Sequence, residues 1–176
     1  TDDLKLWNGD FYLPWKWKNH GKYKERGEWF DSLGNLLAII FELADDNRAE
    51  KILAHIKKNK INFPFPMKTI YPPIERGSLD WQDYFNDCGA RTPYHYSNAG
   101  VWTYIGGFYI LALIKLGKTE EAERELTRLA EANLMSRFSE WIDGKTGKAS
   151  DGENQAWNAG MYILAYESLR KKRVLI

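Results

Sequence analysis

Segments that are apolar on nearly every side alternate along the chain with segments that are apolar on one face only. Residues 30–44, 101–114 and 156–169 carry apolar side chains nearly all round, which is typical of helices buried on most sides. Residues 49–58 and 122–130 place apolar side chains at spacings of three and four among charged ones, as surface helices do. The predicted order is therefore buried, amphipathic, buried, amphipathic, buried.

This alternation predicts antiparallel helical hairpins, in which inner helices contact neighbours on both sides and outer helices face water, as in a toroid. We expect one all-α domain over residues 1–176, with three inner helices, two outer helices and no substantial sheet. Polar and aromatic residues cluster where each inner helix starts: Glu28, Trp29 and Asp31, then Tyr96, Asn98 and Trp102, then Gln155 and Trp157. If those ends converge, they form one cleft.

Glu140 lies between Phe138 and Trp141, shortly before the Gln155-Ala156-Trp157 sequence that opens the third inner helix. A carboxylate beside flat apolar rings is what a sugar-cleaving site needs, because the C–H faces of sugars stack on aromatic side chains. The chain has 8 Trp, 10 Tyr and 8 Phe, more than a core of this size requires. The pattern favours a glycoside hydrolase, although for any single ring the more common role is that of a core residue.

Charge and cysteine content exclude several classes of function. The 25 Lys and Arg against 24 Asp and Glu leave a net charge of +1, which favours neither nucleic acid nor an anionic membrane. Cys88 is the only cysteine, and neither a signal peptide nor an apolar run of ~18–20 residues occurs, so we predict a cytoplasmic protein. His20, His55 and His95 lack metal-ligand spacing, and we predict no metal or cofactor.

Several motifs follow one another in an order that resembles the C-terminal half of the alkaline/neutral invertases. A similar series occurs in the amylo-α-1,6-glucosidase domain of glycogen-debranching enzymes, and residues 28–36 resemble the invertase segment that opens an inner helix. The motifs are Tyr71-Pro72-Pro73-Ile74-Glu75, Asp80-Trp81, the run from Thr92 to Trp102, Ser139-Glu140-Trp141-Ile142-Asp143, and Gln155-Ala156-Trp157.

The resemblance implies part of an (α/α)6 barrel that hydrolyses a glycosidic bond with inversion, using one carboxylic acid and one carboxylate base. Glu140 lies where the family carries its general base. The resemblance also implies sugar-stacking or hydroxyl-binding roles for Asp31, Trp81, Asp83, Asn98, Trp102, Gln155 and Trp157. For Asp31 the alternative is a charge that serves the end of a helix.

Two departures separate this chain from the family pattern. It has Tyr96-Ser97-Asn98-Ala99 where the family shows Tyr-His-Asn-Gly, so that a contact to a sugar hydroxyl is lost or moved. The family's general acid, an aspartate, lies upstream of everything matched here. The nearby candidates for a substitute acid are Asp31, Asp80 and Asp83.

About five helices make only half of such a barrel, so we expect an exposed apolar edge. Three explanations stay open: a C-terminal fragment of a longer enzyme, which we rank first, a subunit completed by itself or another polypeptide, and a truncated product without catalysis. The rival function is a non-catalytic carbohydrate-binding or assembly fragment. The expected partners are a carbohydrate and a second copy or the missing N-terminal half. Sucrose, α-1,6-glucan branches and small glucosyl or mannosyl compounds all suit the cleft.

Overall fold

The computed structural model describes residues 5–16, 24–150 and 152–176, so that His20 lies outside the described residues. Among the described residues, two short strands pair antiparallel, β1 (Phe30–Asp31) and β2 (Ile70–Tyr71). Two short 3-10 helices occupy the long connection, at Asp83–Asp87 and Gly89–Arg91. The α-helices are α1 (Ser32–Ile40), α2 (Asp46–Lys58), α3 (Thr103–Lys115), α4 (Thr119–Ser136) and α5 (Ala156–Arg170). The prediction of an all-α fold is confirmed, and no helix among the described residues has the length and apolar character to cross a bilayer.

Aspartates begin the first two helices. The Asp31 carboxylate accepts a hydrogen bond of 2.8 Å from the Gly34 N–H and caps α1, and Asp45 accepts one of 2.8 Å from the Arg48 N–H and caps α2. The first helix was expected to run to residue 44, but it ends at Ile40, and Glu42 then adopts a left-handed φ of 59°. A left-handed residue stops a helix because its carbonyl no longer points along the axis.

Helix α3 lies at the centre of the fold and packs against α1, α4 and α5. Most of its side chains are buried, and Tyr109 is fully enclosed with its hydroxyl 3.3 Å from the Glu121 carboxylate on α4. Gly107 lets α3 and α5 approach closely, since a Cβ at that position would lie 3.0 Å from the Cβ of Met161. The predicted inner role of this helix is therefore observed.

Helix α5 was expected to be buried on most sides, and the structure corrects this. Its buried residues are Asn158, Ala165 and Ser168, whereas Ile163 is 61% and Tyr166 48% exposed. The helix packs against α3 and α4, and no described helix covers its remaining side. The exposed residues Gly160, Ile163 and Tyr166, which we call the α5 edge, form the apolar edge expected of an incomplete toroid.

Short extended segments join the starts of the inner helices into one hydrogen-bonded structure, the inner-helix rim, formed by residues 30–32, 67–71, 100–102 and 139–142. The Ser32 N–H donates to the Thr69 carbonyl at 2.9 Å, and the Thr69 N–H donates to the Gly100 carbonyl at 2.9 Å. Val101 and Ile142 then exchange two hydrogen bonds of 2.8 Å. The starts of α1 and α3 therefore lie together with the loop that follows α4.

Candidate active site

Glu140 lies on the inner-helix rim, in the loop between α4 and α5. Its N–H donates to the Gly152 carbonyl at 3.0 Å, and Ile142, two residues later, is paired with Val101 at the start of α3. The side chain is partly exposed. Within the described residues the Glu140 carboxylate makes no hydrogen bond, so both of its oxygens can accept one from water or from a ligand.

Asn158 anchors this loop, and the sequence analysis did not select it. The side chain is buried, its Nδ2 donates to the Ser139 carbonyl at 2.8 Å, and its Oδ1 accepts the Tyr104 N–H at 3.1 Å. Asn158 therefore joins the residue before Glu140 to the first turn of α3. A signal was present, because an amide in the first turn of an apolar helix needs partners to be buried there.

Gln155 holds the other side of the same loop. Its N–H donates to the Phe138 carbonyl at 2.9 Å, and its side-chain Nε2 donates to the Gly152 carbonyl at 3.0 Å. Gly152 is also the acceptor for the Glu140 N–H, so that Gln155 and Glu140 share one backbone partner. The predicted role of Gln155 in binding a sugar hydroxyl stays a prediction, beside the loop-holding contact that the structure shows.

His95 and Asp143 form a second contact across the rim that the sequence analysis left out. The His95 Nε2 lies 2.9 Å from the Asp143 Oδ2, and the imidazole packs at a ring distance of 5.0 Å against Trp141, next to Glu140. Burial raises the pKa of Asp143, but the N–H groups of Thr146 and Lys145, together with His95, outweigh it and lower that pKa. Asp143 is therefore a stable anion that fixes His95 beside Trp141.

Left-handed backbone is concentrated in the loops that carry these residues. Tyr94, Tyr96 and Ala99 have φ values of 70°, 46° and 66°, and Arg137 and Phe138, just before Glu140, have 53° and 55°. Such angles are unfavourable for residues other than glycine, and strained residues of this kind cluster at functional sites. Arg137 ends α4 as its left-handed cap, which is a common helix ending, so the strain that supports a functional role is that of the other four residues.

The three tryptophans predicted to stack a sugar lie in different surroundings. Trp157 is in the first turn of α5 and is 46% exposed, so that a ligand can reach its ring. Trp102 precedes α3, is half-buried, and donates from Nε1 to the Tyr96 carbonyl at 3.0 Å. Trp81 packs edge-on against Phe85 at 5.2 Å in a separate apolar cluster with Ile74. Trp102 on the rim and Trp157 in the first turn of α5 are thus next to residues that bond to the Glu140 loop.

Asp31 caps α1, so the alternative interpretation, a charge that serves a helix end, is observed. Burial raises the pKa of its carboxyl, and the hydrogen bond from the Gly34 N–H only partly offsets this effect. The other two candidates for a substitute acid differ: Asp80 is paired with Lys24 at 2.7 Å, and Asp83 is exposed at the start of a 3-10 helix. Burial of Asp31 therefore favours the protonated form of its carboxyl relative to an exposed aspartate.

Asn98 is enclosed by the protein's own backbone. Its Nδ2 donates to the Ile74 and Ala90 carbonyls, both at 2.9 Å, and its Oδ1 accepts the Ile74 N–H at 2.7 Å. The predicted contact of Asn98 with a sugar stays a prediction, since these bonds leave the amide little capacity for one. No group of three or more His, Cys, Asp or Glu in the described part of the chain is arranged to hold a metal ion.

Comparison with known proteins identifies a family that matches the part of the chain carrying these motifs. A family described as "Alkaline and neutral invertase" matches residues 22–172. "Neutral/alkaline invertase 1, mitochondrial" of Oryza sativa subsp. japonica is 34% identical over 140 residues, which are 76% of this chain and 22% of that protein. "Probable alkaline/neutral invertase A, chloroplastic" of Arabidopsis thaliana is 29% identical over 151 residues, 82% of this chain and 23% of that protein. This chain spans less than a quarter of either relative, and since their names give organelles, cytoplasmic localisation stays a prediction.

Solved structures show the same arrangement of helices. The GH63 mannosylglycerate hydrolase from Thermus thermophilus, in complex with glucose, aligns with a TM-score of 0.64 and 16% identity over 90% of this chain and 36% of that chain. The complex of the same enzyme with Tris and D-glycerate aligns with a TM-score of 0.64 and 15% identity, and the alignment covers 93% of this chain and 36% of that chain. At this identity the likeness concerns the fold, and the predicted partial (α/α)6 barrel is confirmed.

Proposed function

Because the chain belongs to the alkaline and neutral invertase family, we propose that it forms the Glu140-bearing part of an inverting glycoside hydrolase. The proposed substrate is sucrose or another α-glucoside. The observation that carries this proposal is the position of the Glu140 loop on the rim, bonded to the starts of α3 and α5 through Val101, Asn158 and Gln155. These bonds fix a carboxylate with free acceptor capacity among aromatic side chains.

In the proposed reaction Glu140 accepts a proton from the water that attacks the anomeric carbon. A carboxylic acid on the opposite face of the sugar, ~6.5–9.5 Å from the base, protonates the leaving oxygen. Burial raises the pKa of the Asp31 carboxyl, which is the direction that this second role needs. The resemblance to the family places the acid elsewhere, and we propose that it comes from the rest of the barrel, with Asp31 as the alternative within this chain.

The stereochemistry of the first product tests the mechanism. Inversion at an α-glucoside releases β-glucose, because water enters on the face opposite the leaving group. We expect proton NMR of fresh reaction mixtures of the complete enzyme with sucrose to show the β anomer before mutarotation. Initial release of the α anomer would contradict an inverting role for Glu140.

A non-catalytic carbohydrate-binding fragment is the second candidate function, favoured by the exposed Trp157 and by the incomplete barrel. It requires the aromatic side chains but not the carboxylate of Glu140. A fragment of this kind would bind a saccharide equally well with Gln at position 140, and no completion of the barrel would give hydrolysis.

Trp157→Ala is expected to weaken saccharide binding by about 1 kcal/mol, or roughly fivefold in Kd, because stacking surface is lost. Isothermal titration calorimetry with sucrose measures the effect. Leu134→Ala, at an exposed apolar residue of α4 outside the α5 edge, is the matched control and should leave Kd unchanged. If Trp157→Ala and wild type bind sucrose with equal affinity, Trp157 does not contact the sugar.

The α5 edge supports a proposal for the partner, namely a further inner helix from the remainder of the barrel. Gly107 is the fifth residue of α3 and is in close contact with Met161 of α5, whereas Gly160, the fifth residue of α5, has nothing within 4 Å of a Cβ built on it. An exposed helical glycine costs about 0.5–1 kcal/mol relative to alanine. A second close helix contact at Gly160 accounts for that cost.

Without that partner, the chain is expected to associate with itself through the α5 edge. Ile163→Lys should weaken association at least about tenfold, because burying an isoleucine is worth roughly 1.5–3 kcal/mol. Light scattering over a concentration series measures the effect, with Leu134→Lys on the exposed face of α4 as the control. A wild-type chain that stays monomeric at high concentration would contradict the proposal.

A further inference from the structure

A cavity of about 630 Å³ lies away from the Glu140 loop, between the N-terminal segment and the long connection. We call it the indole pocket and define it by Trp15, Lys24, Trp29, Asp80, Tyr84 and Phe85, which line it. Its volume is in the range of small-molecule sites, and its walls are mainly apolar and aromatic with a few polar groups. Glu140 and the other residues of the Glu140 loop do not line it.

The two indoles are held in fixed positions. Their rings lie 5.9 Å apart in an edge-to-face arrangement, and the Gly27 N–H donates to the Trp15 carbonyl at 3.2 Å. A Cβ at Gly27 would lie 2.7 Å from Pro14 and 2.9 Å from each of the two indole side chains. Glycine is therefore required at position 27 for the backbone to pass between the rings, and this close packing prearranges the aromatic wall.

Lys24 and Asp80 supply the polar part of the wall. The Lys24 Nζ lies 2.7 Å from the Asp80 Oδ2 and 3.3 Å from Glu28, which leaves one N–H donor without an acceptor among the described residues. Burial lowers the pKa of Lys24, but Asp80 and Glu28 outweigh it and raise that pKa. The Asp80 Oδ1 is buried and has no donor among the described residues, which is unfavourable unless a ligand or water supplies one.

Charge and shape together select the class of ligand. Lys24 is balanced by Asp80, and Arg26 forms an ion pair with Glu28 at 2.9 Å, so the pocket has no excess of either sign for an ionic ligand. Leu79 and Tyr84 also line the pocket, yet are 84% and 64% exposed. Exposed apolar side chains beside aromatic walls and one donor–acceptor pair suit a neutral molecule with an apolar face and hydroxyl groups.

We propose that the indole pocket binds a sugar ring of a neutral saccharide, at a site separate from Glu140. We choose a saccharide over another neutral molecule because of the proposed function, on which this step rests. Ile74 connects the two places, since it lines the pocket and exchanges two hydrogen bonds with Asn98, beside the rim. A bound sugar stacks on Trp15 or Trp29, while its hydroxyls donate to Asp80 and accept from Lys24.

The side-chain N–H signals of tryptophan in a ¹H–¹⁵N NMR spectrum test this site directly. The full chain is titrated with sucrose and with maltotriose, and the signals are assigned from single Trp→Phe variants. We expect at least one of the two saccharides to shift the signals of Trp15 and Trp29 in a saturable way. If neither saccharide moves these two signals, the proposal is wrong.

Variants of the polar pair test the geometry. Asp80→Ala and Lys24→Met should each weaken binding at the two indoles about tenfold, because each removes a hydrogen bond to a charged group. Asp87→Asn is the matched control, since Asp87 is an exposed acidic residue of the same connection that does not line the pocket, and the affinity of this variant should change less than about twofold. Unchanged affinity in both Asp80→Ala and Lys24→Met would overturn the proposal, and the wild-type titration decides it if a variant fails to fold.

Glu140→Gln separates this inference from the proposed function. Shifts of Trp15 and Trp29 that persist in this variant support the separate site, whether or not the complete enzyme hydrolyses a glycoside. Loss of those shifts on Glu140→Gln would contradict separation of the two sites. If hydrolysis by the complete enzyme depends on Glu140 but the signals of Trp15 and Trp29 do not shift, the proposed saccharide site in the indole pocket is wrong and the proposed function stands.

Discussion

Glu140→Gln in the complete enzyme is expected to lower kcat by ~10²–10⁴-fold, the range that general-base catalysis contributes. Glutamine keeps the size of the side chain and one acceptor oxygen, but it cannot take the proton of the attacking water. Because the substitution removes an interaction made mainly in the transition state, KM for sucrose should change little. Steady-state kinetics with sucrose, at several pH values, measure both parameters.

Glu153→Gln is the matched control for this experiment. Glu153 lies in the same loop between α4 and α5, forms an exposed ion pair with Arg137 at 3.0 Å, and receives the same loss of charge. Its kcat should stay within about twofold of wild type, since exposed ion pairs contribute little. If Glu140→Gln matched wild type instead, Glu140 would be structural, and the carbohydrate-binding fragment would be the better interpretation.

The helices could be predicted from the sequence because their apolar patterns are local. Residues 101–114 predicted α3 within two residues at either end, since an uninterrupted apolar segment has few alternatives to a buried helix. The end of α1 was placed four residues late because Phe41 and Leu43 extend the apolar pattern, although both are more than half exposed in a turn. Which side of α5 is exposed depends on which helices pack against it. The apolar pattern of one segment does not determine how many helices surround that segment.

The residues around Glu140 were only partly predictable for the same reason. The resemblance selected Glu140, Gln155 and Trp157 because they belong to short motifs that are continuous in sequence. The pairing of His95 with Asp143, and the bonds of Asn158 to Ser139 and the Tyr104 N–H, join segments far apart in the chain. Such contacts follow from the tertiary arrangement, so each participant looked like an isolated polar residue in the sequence.

Asn98 shows how a motif can carry two roles. The motif placed it beside Trp102 and implied contact with a sugar, and that role stays a prediction. In the structure the Asn98 amide fastens the turn at residues 94–99 to Ile74 and Ala90, across the long connection. Since this turn contains three left-handed residues other than glycine, its conformation needs such bonds to persist.

Asn98→Ala is therefore expected to destabilise the chain by roughly 3 kcal/mol or more, because the N–H and carbonyl of Ile74 and the carbonyl of Ala90 each lose a buried partner. For a chain of this length that lowers Tm by about 10 °C. Thermal unfolding followed by circular dichroism at 222 nm measures the shift. Asn86→Ala, an exposed asparagine in the same connection, should stay within about 0.5 kcal/mol of wild type. An unchanged Tm with weakened sucrose binding in Asn98→Ala would instead assign Asn98 to the sugar, because a substrate ligand without a structural role contributes nothing to the stability of the empty protein.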